Sequence, residues 1–296
     1  VFEVMPPALK PTFISYVQLL ILQAGIICLF FDFFKFLTKI DFSFRDGSMN
    51  NDTDSLNKKK VLITGGGSGM GRSIALSMAE EGASVGICGR RKDALLETIN
   101  LVEIGSKPKE FVSDVTDRSS VGKLFDWLDE EFGSLDILVH AAGLNIANRS
   151  MQELEPEDWD QLIETNLTGS FNILSPALKR MREKQKGLII LINSVAGRRA
   201  TPLAGIAYNC SKFGMTALGL GVGEEEKENG IRITNIYPGE VNTEILNQRK
   251  QPPNEMHRAS ILQPADISSI VVSLSKLPDH VHVPELVVKP ALQSFV

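Results

Sequence analysis

The chain has 296 residues, of which 43% are hydrophobic and 23% are charged, and these values argue against a disordered or collagen-like protein. Its 31 basic and 36 acidic residues give a net charge of −5, which argues against a general nucleic-acid binder because phosphate recognition needs a basic face. The three cysteines (Cys28, Cys88 and Cys210) have no CxxC spacing and the four histidines are scattered, so we expect neither a disulfide framework nor a metal centre.

The beginning of the chain differs in composition from the remainder. No charged residue occurs within residues 11–31, and about 20 apolar residues are enough to span a bilayer as one helix. Basic residues are more frequent after this run than before it, so a true span would leave the rest of the chain in the cytoplasm. Two other interpretations stay open: a cleaved segment, and a leader upstream of a working start at Met49. We therefore expect an apolar segment at 1–48 and a cytoplasmic domain at 49–296, with membrane attachment only if 11–31 forms a span.

After Lys60, short apolar runs alternate with longer amphipathic stretches, which is the pattern of βαβ units around a parallel sheet. In chain order, the pattern predicts strand 61–64, helix 70–81, strand 84–88, helix 92–103, strand 110–113, helix 118–132, strand 136–140, helix 156–184, strand 188–193, helix 206–229, strand 232–237, helix 264–276 and strand 286–289. Seven strands with six intervening helices predict an α/β fold in one domain: a doubly wound parallel sheet with helices on both faces.

A glycine-rich turn separates the first predicted strand from the first predicted helix. Glycine lets the backbone turn tightly and approach a pyrophosphate, while a helix N-terminus offers free N–H groups and the positive end of its dipole. A structural turn is the competing interpretation, but the position between a strand and a helix favours dinucleotide binding. The predicted cofactor contacts in this turn are Thr64, Gly65, Ser68, Gly69, Met70 and Gly71.

The second predicted strand ends in Cys88-Gly89-Arg90-Arg91. In a dinucleotide fold this end faces the adenosine ribose, where an acidic residue binds the 2′-hydroxyl of NAD and an arginine accommodates the 2′-phosphate of NADP. Gly89 occupies the position of the acid, so we predict NADP(H) with Arg90 and Arg91 as phosphate ligands, and NAD(H) as the alternative. Solvated arginines at the start of a helix are the competing interpretation.

A tyrosine and a lysine stand four residues apart in the long helix predicted at 206–229. Tyr208 and Lys212 therefore lie on one helix face, about one turn apart. A nearby ammonium favours the phenolate, so we expect Lys212 to lower the pKa of Tyr208 and to suit it to proton transfer near neutral pH. A surface pair is the alternative interpretation. Ser194 precedes Tyr208 by fourteen residues and ends an apolar strand.

Together these segments resemble the short-chain dehydrogenase/reductase family. The resemblance covers about residues 58–290 and is specific because the matching segments occur in the order that the family shows. The residues that carry it are the turn at 64–71, Asp114-Val115, Ala141-Ala142-Gly143, Asn166, Ser194, Tyr208, Lys212, Pro238-Gly239, Val241 and Thr243.

The resemblance implies a single Rossmann-type domain that oxidises alcohols or reduces carbonyls with NAD(P). By position, Tyr208 resembles the general acid/base and Lys212 its pKa-lowering partner, which also binds the nicotinamide ribose. Ser194 resembles the residue that hydrogen-bonds the substrate oxygen, and Asn166 the residue that holds a relay water. The further cofactor contacts that the family implies are Asp114 and Val115 at the adenine, Ala142 and Gly143 in the strand-end turn, and Pro238, Gly239, Val241 and Thr243 near the nicotinamide.

Two departures from the family pattern bear on the function. His140 stands where the family has an asparagine, and we interpret it as a structural residue at a strand end, since Tyr208 already fills the proton-transfer role. The segment 284–290 lacks the glycine pair of the ketoacyl reductase branch and resembles the branch that acts on serine and small 3-hydroxy acids.

Cations near the predicted reacting centre favour an anionic small-molecule substrate. Arg198 and Arg199 follow Ser194 closely, and the loop after Gly239 contains Arg249, Lys250, His257 and Arg258. Charges in a loop are commonly solvated, so each assignment competes with a simple surface role. We place Arg199 first as a substrate ligand because it is near Ser194 in sequence.

The sequence thus predicts an NADP(H)-dependent oxidoreductase for small 3-hydroxy or 3-oxo acids, with 3-oxoacyl-thioester reduction as the alternative. A lipid-like or steroid-like substrate gains weight if the apolar segment is an anchor. A catalytically silent NADP-binding scaffold is the alternative of another class, but it has no physical need for Asn166, Ser194, Tyr208 and Lys212 together. The long helices at 156–184 and 206–229 correspond to those through which family members pair, so we expect a homodimer or homotetramer.

Overall fold

A computed structural model describes residues 56–294 of the chain. The predicted segment 1–48, with its apolar run at 11–31, lies outside the described residues, as does the predicted boundary at residue 49. Within the described part of the chain, no helix is both long enough and apolar enough to cross a bilayer.

Strands and helices alternate along residues 60–288. Short turns accompany them: a π-helical turn at Glu164–Thr168 and 3-10 turns at Val195–Gly197, Lys227–Asn229 and Glu244–Gln248. The regular elements are β1 (Lys60–Thr64), α1 (Gly69–Glu80), β2 (Ser84–Gly89), α2 (Lys92–Asn100), β3 (Lys109–Val112), α3 (Arg118–Phe132), β4 (Ile137–His140), α4 (Pro156–Ile163), α5 (Gly169–Lys184), β5 (Gly187–Ile192), α6 (Ile206–Glu226), β6 (Ile231–Pro238), α7 (Glu255–Ser260), α8 (Pro264–Ser275) and β7 (Glu285–Val288).

The strands form one parallel sheet in the order β3-β2-β1-β4-β5-β6-β7. The predicted doubly wound α/β sheet is therefore confirmed. The strand order reverses between β1 and β4, and in such sheets ligands bind outside the carboxyl ends of the strands at this switch point. The residues that directly follow β1, β2, β4, β5 and β6 are thus brought to one edge.

The core has two layers because successive side chains of a strand point to opposite faces. On β1, Ile63 belongs to the layer with Ile74 of α1 and Val271 of α8. Its neighbour Leu62 belongs to the layer with Phe125 of α3 and Ile173 of α5. Burying one such apolar side chain contributes roughly 1.5–3 kcal/mol. The packed helices hold the switch-point strands in register and so fix the edge that carries the candidate site.

Several helical details differ from the sequence predictions. The predicted helix 156–184 is α4 and α5 joined through the π-helical turn 164–168, a local widening that often occurs at functional sites. Helix α2 ends at Asn100 instead of residue 103. Helix α7 was not predicted, because its six residues have no buried member and so show no apolar periodicity.

Candidate active site

The glycine-rich turn connects β1 to α1 at the switch point. Ser68 is the N-cap of α1 but makes no side-chain capping bond, and the first turn contains no acidic residue. The first N–H groups of the helix therefore keep their capacity to bind an anion. A Cβ on Gly71 would lie 2.2 Å from the Gly65 carbonyl oxygen, so only glycine lets the helix approach the turn this closely.

Two side chains outside the turn hold its backbone in place. Arg72 donates from Nη2 to the Gly67 carbonyl over 2.6 Å, and Thr98 of α2 donates from Oγ1 to the Gly66 carbonyl over 2.9 Å. Arg72 Nε also donates to Thr98 Oγ1 over 3.1 Å. Sequence reasoning missed both residues because neither belongs to the glycine motif.

A cavity of about 280 Å³, here called the Arg90 cavity, opens beside this turn. Residues that follow the carboxyl ends of β1, β2, β3 and β4 line this cavity. Arg90 and Arg91 lie exposed at its rim, and Asp114 is oriented by Thr116, which donates to its Oδ1 from N and Oγ1 over 3.0 and 2.8 Å. The predicted cofactor contacts that line it are Gly65, Ser68, Arg90, Arg91, Asp114, Val115, Ala142 and Gly143.

His140 lies buried at the end of β4, beside Thr64 of β1. Its Nδ1 is 2.8 Å from the Thr64 hydroxyl and its Nε2 is 3.0 Å from the Ser170 hydroxyl. Ser170 donates its proton to the Asn166 carbonyl over 2.6 Å, so it accepts from Nε2–H, and Nδ1 accepts from Thr64. Burial lowers the pKa of His140 to about 3, with a further contribution from Lys212, so the ring stays neutral. His140 therefore acts as a structural link.

Asn166 lies fully buried in the π-helical turn. Its Oδ1 accepts from the Leu144 N–H over 2.9 Å, and its Nδ2 donates to the Leu144 carbonyl and to Ser211 Oγ over 3.0 and 3.1 Å. Both amide protons are thus engaged. The side chain anchors the turn that contains Gly143, and its predicted relay water stays a prediction.

Ser194 and Tyr208 are brought together from the end of β5 and the start of α6. The Ser194 hydroxyl accepts from the Ala196 N–H over 3.1 Å and also hydrogen-bonds the Tyr208 hydroxyl. Burial raises the pKa of Tyr208, while the Ser194 hydrogen bond and the charge of Arg149 act to lower it. The net shift is therefore opposite to the expected lowering of the Tyr208 pKa, and Arg149 is a cation that acts to lower it.

Lys212 lies buried one turn further along α6. Its Nζ is 5.8 Å from the centre of the Tyr208 ring and donates to the Ile192 carbonyl over 3.2 Å. Burial lowers the pKa of Lys212 to about 8. A Cβ on Gly143 would lie 3.8 Å from Nζ, so the ammonium is near the wall of the Arg90 cavity.

A second cavity, of about 140 Å³ and here called the Tyr208 cavity, contains the Ser194–Tyr208 pair. Arg149 and Arg249 also line it, and neither was among the assigned site residues. Arg249 was noted as a loop cation, whereas no motif pointed to Arg149. The predicted residues in the lining are Met70, Ser194, Tyr208, Pro238, Gly239, Val241 and Thr243.

The remaining predicted residues lie beside or outside the two cavities. Thr64, Gly71 and Lys212 are buried behind the walls, and a Cβ on Gly69 would contact the Thr243 side chain. Arg199 is exposed and is not part of the Tyr208 cavity lining. Nearness in sequence to Ser194 therefore did not place the Arg199 side chain in the cavity lining.

A family model described as short chain dehydrogenase matches residues 59–254. The chain belongs to this family. An uncharacterized oxidoreductase of Staphylococcus aureus strain MRSA252 is 32% identical over 235 residues, which cover 79% of this chain and 98% of the relative. Membership in the short-chain dehydrogenase family makes the chain an oxidoreductase that acts on CH–OH groups.

Two solved dehydrogenase structures show the same architecture. A serine dehydrogenase in its closed form, complexed with NADP+, has a TM-score of 0.73 and 30% identity, covering 79% of this chain and 96% of its own. An alcohol dehydrogenase from the archaeon Thermococcus sibiricus, complexed with 5-hydroxy-NADP, has a TM-score of 0.72 and 28% identity, covering 80% and 98%.

Proposed function

We propose that this short-chain dehydrogenase is NADP(H)-dependent and interconverts the alcohol and carbonyl forms of a small 3-hydroxy or 3-oxo acid. The observation that carries the proposal is the Ser194–Tyr208 hydroxyl pair within a cavity that Pro238, Gly239 and Thr243 also line. A proton donor and a second hydroxyl are thereby aimed at one small space, as reduction of a carbonyl oxygen requires.

The residues around the glycine-rich turn fit a dinucleotide. Gly65, Gly67 and Ser68 line the Arg90 cavity, and the uncapped start of α1 offers N–H groups to a pyrophosphate there. Arg90 and Arg91 stand at the rim where a 2′-phosphate would lie, and the related serine dehydrogenase and alcohol dehydrogenase structures hold NADP-type ligands. The residues of the Arg90 cavity, with Tyr208, Lys212 and the segment 238–243, would hold the cofactor.

When bound, the cofactor supplies the hydride to the carbonyl carbon, or accepts it from the alcohol in the reverse direction. Tyr208 donates a proton to the carbonyl oxygen during reduction, and Ser194 hydrogen-bonds the same oxygen. Both residues line the same cavity, so one substrate oxygen placed there can meet both hydroxyls. The positive charge of Arg149 favours the phenolate that remains on Tyr208.

A small acid is the favoured substrate class for two reasons. The segment 284–290 resembles the branch that acts on serine and small 3-hydroxy acids, and a serine dehydrogenase is among the related structures. The Tyr208 cavity, at about 140 Å³, is smaller than the roughly 300–1,000 Å³ common for drug-sized ligands.

The test follows NADPH oxidation by the full chain against 3-oxo acids and 3-oxoacyl thioesters, with NADH in parallel. Turnover of the free acids is expected, and turnover of thioesters alone would move the protein to the acyl reductase class. Tyr208→Phe removes the transferable proton and should abolish turnover while NADPH binding, followed by fluorescence, is retained. Full activity of this variant would contradict the mechanism.

A further inference from the structure

Two guanidinium groups share the Tyr208 cavity with the Ser194–Tyr208 pair. Arg149 comes from the loop after β4, and Arg249 directly follows the 3-10 turn Glu244–Gln248. They lie close enough to interact: burial lowers the pKa of Arg149, Arg249 lowers it further, and Tyr208 acts in the opposite direction. The cavity thus brings two cations to the side chain that would protonate the substrate.

Arg149 is held in place before any ligand arrives. Its Nε donates to the Ile146 carbonyl over 2.6 Å and its Nη1 donates to the Leu203 carbonyl over 2.9 Å. The Arg149 carbonyl accepts from the N–H of Ile206, the first residue of α6. Gly205 has φ +90°, and a Cβ there would lie 2.6 Å from Arg149 Cβ, so glycine permits this close approach. The guanidinium is therefore fixed relative to the helix that carries Tyr208.

Within the described residues, the Arg149 guanidinium has no counter-charge. Among residues 56–294, no carboxylate lies within ion-pair distance of Arg149. Arg249 does pair with Glu240 over 2.6 Å, but its Nε is buried with no hydrogen-bond acceptor in the described part of the chain. An unpaired cation and an unsatisfied donor at a partly closed cavity indicate that an anionic group completes the arrangement.

We propose that Arg149 binds the carboxylate of the substrate, assisted by Arg249, and that this contact selects acids over neutral ketones and alcohols. The inference rests on the proposed function and names its specificity residues. A carboxylate matches the planar guanidinium fork and can accept two parallel hydrogen bonds. Arg199, the first choice from sequence, is exposed outside the cavity and is therefore not the ligand.

The first experiment compares kcat/KM for a 3-oxo acid with kcat/KM for its methyl ester in the same enzyme. The ratio isolates the carboxylate, because any effect of Arg149 on Tyr208 acts on both substrates and cancels. Arg149→Met should lower the acid-to-ester ratio about tenfold to a hundredfold, the loss expected when a hydrogen bond to a charged group is removed. Arg149→Lys should retain part of the preference, and Arg249→Met should have the smaller effect because Glu240 already pairs with Arg249.

The matched control is Lys123→Met, which removes an exposed cation from α3, away from the lining of either cavity. Its acid-to-ester ratio should equal that of the unmodified chain. If Arg199→Met lost the preference for the acid over the ester while Arg149→Met kept it, the carboxylate ligand would be Arg199, as the sequence predicted, and not Arg149.

A binding measurement separates this inference from the proposed function. Calorimetric titration of the NADP+-loaded full chain with 3-hydroxybutyrate should show binding that Arg149→Met weakens about tenfold or more. Binding that depends on Arg149 without turnover of any carbonyl compound would support the carboxylate site and overturn the proposed reaction. Equal turnover of acids and esters, with binding unaffected by Arg149→Met, would overturn the carboxylate site and leave the oxidoreductase intact.

Discussion

Thr64 and His140 pair across the switch point of the sheet, with the Thr64 hydroxyl 2.8 Å from His140 Nδ1. The same Thr64 oxygen accepts from the N–H groups of Ala141 and Ala142 over 3.2 and 3.1 Å. His140 thus orients the hydroxyl that fixes the turn beside the glycine-rich loop. On its other side, His140 reaches Asn166 through Ser170, so one neutral ring joins the cofactor loop to the π-helical turn.

His140 makes the stability of the fold depend on pH. Its pKa is about 3 in the folded chain and 6.5 ordinarily, so between these values the unfolded chain binds more protons. Its contribution to stability is complete above about pH 6.5 and is lost as the pH falls. We expect the free energy of unfolding to decrease by about 2 kcal/mol from this group between pH 7.5 and pH 5. Urea unfolding at several pH values measures this dependence.

The control for this prediction is His140→Asn, which restores the residue of the family pattern and cannot titrate. Titration of the carboxylates affects the unmodified chain and the variant alike. The difference between their free energies of unfolding therefore reports the titration of the His140 ring alone. At neutral pH the variant should be less stable by about 1–2 kcal/mol, because the shorter side chain cannot reach both hydroxyls. That difference should narrow as the solution is acidified, and a constant difference down to pH 5 would contradict a neutral buried His140.

The order of strands and helices could be predicted from the sequence because apolar periodicity reports burial directly. Strand β5 is buried at every residue and appears as an uninterrupted apolar run. Helix α7 could not be predicted because none of its side chains is buried. The π-helical turn 164–168 could not be predicted because one widened turn leaves the apolar pattern almost unchanged. The homo-oligomer and the apolar segment 1–48 stay predictions.

The candidate site could be predicted only where a motif defines it. Tyr208 was identified by its spacing from Lys212 and Ser194 by the resemblance to the family, and the two residues do line one cavity. Arg149 was not found because its approach to α6 depends on a loop that packs against Gly205, a contact that no local pattern reports. The sign of the Tyr208 pKa shift was wrong for a similar reason: the desolvation of a side chain depends on its packing, which spacing along a helix does not reveal.

The close approach of Gly71 to Gly65 predicts a sharp contrast between two glycine substitutions. Gly71→Ala places a Cβ 2.2 Å from the Gly65 carbonyl, so the turn must move and NADPH affinity should fall about tenfold or more. Gly122→Ala in α3 meets nothing within 4 Å and should instead stabilise the helix by about 0.5–1 kcal/mol. Fluorescence titration with NADPH and thermal unfolding test both. Unchanged affinity in Gly71→Ala would argue against a cofactor role for the turn.

Arg90 should set the preference for NADPH over NADH. Arg90→Ala is expected to lower kcat/KM for NADPH about tenfold to a hundredfold, with little change for NADH, because it removes a charge-assisted phosphate contact. Adding Gly89→Asp should reverse the preference, since a Cβ at Gly89 makes only an ordinary contact with Leu95 at 3.6 Å and the carboxylate would meet the ribose hydroxyls. An equal decrease of kcat/KM for NADPH and NADH in Arg90→Ala would instead indicate a general defect of the Arg90 cavity.

We expect Lys212 to lower the free energy of unfolding, although turnover requires it. Its pKa is about 8 in the folded chain against 10.5 ordinarily, so the buried ammonium destabilises the fold fully below pH 8. This penalty disappears as the pH rises from about 8 to 10.5, where the unfolded chain binds more protons. We expect Lys212→Met to raise the free energy of unfolding by about 1–3 kcal/mol at pH 7 and to abolish turnover.

Urea unfolding at pH 7 and at pH 10 checks the Lys212 prediction, with Lys123→Met as the control. The stabilisation by Lys212→Met should shrink at the higher pH, because the wild-type amine is then largely neutral in the folded protein. Lys123 is exposed, so its replacement should change stability by less than about 0.5 kcal/mol at either pH. A Lys212→Met protein that is less stable at pH 7 would mean that the Nζ bond to the Ile192 carbonyl outweighs the cost of burying the charge.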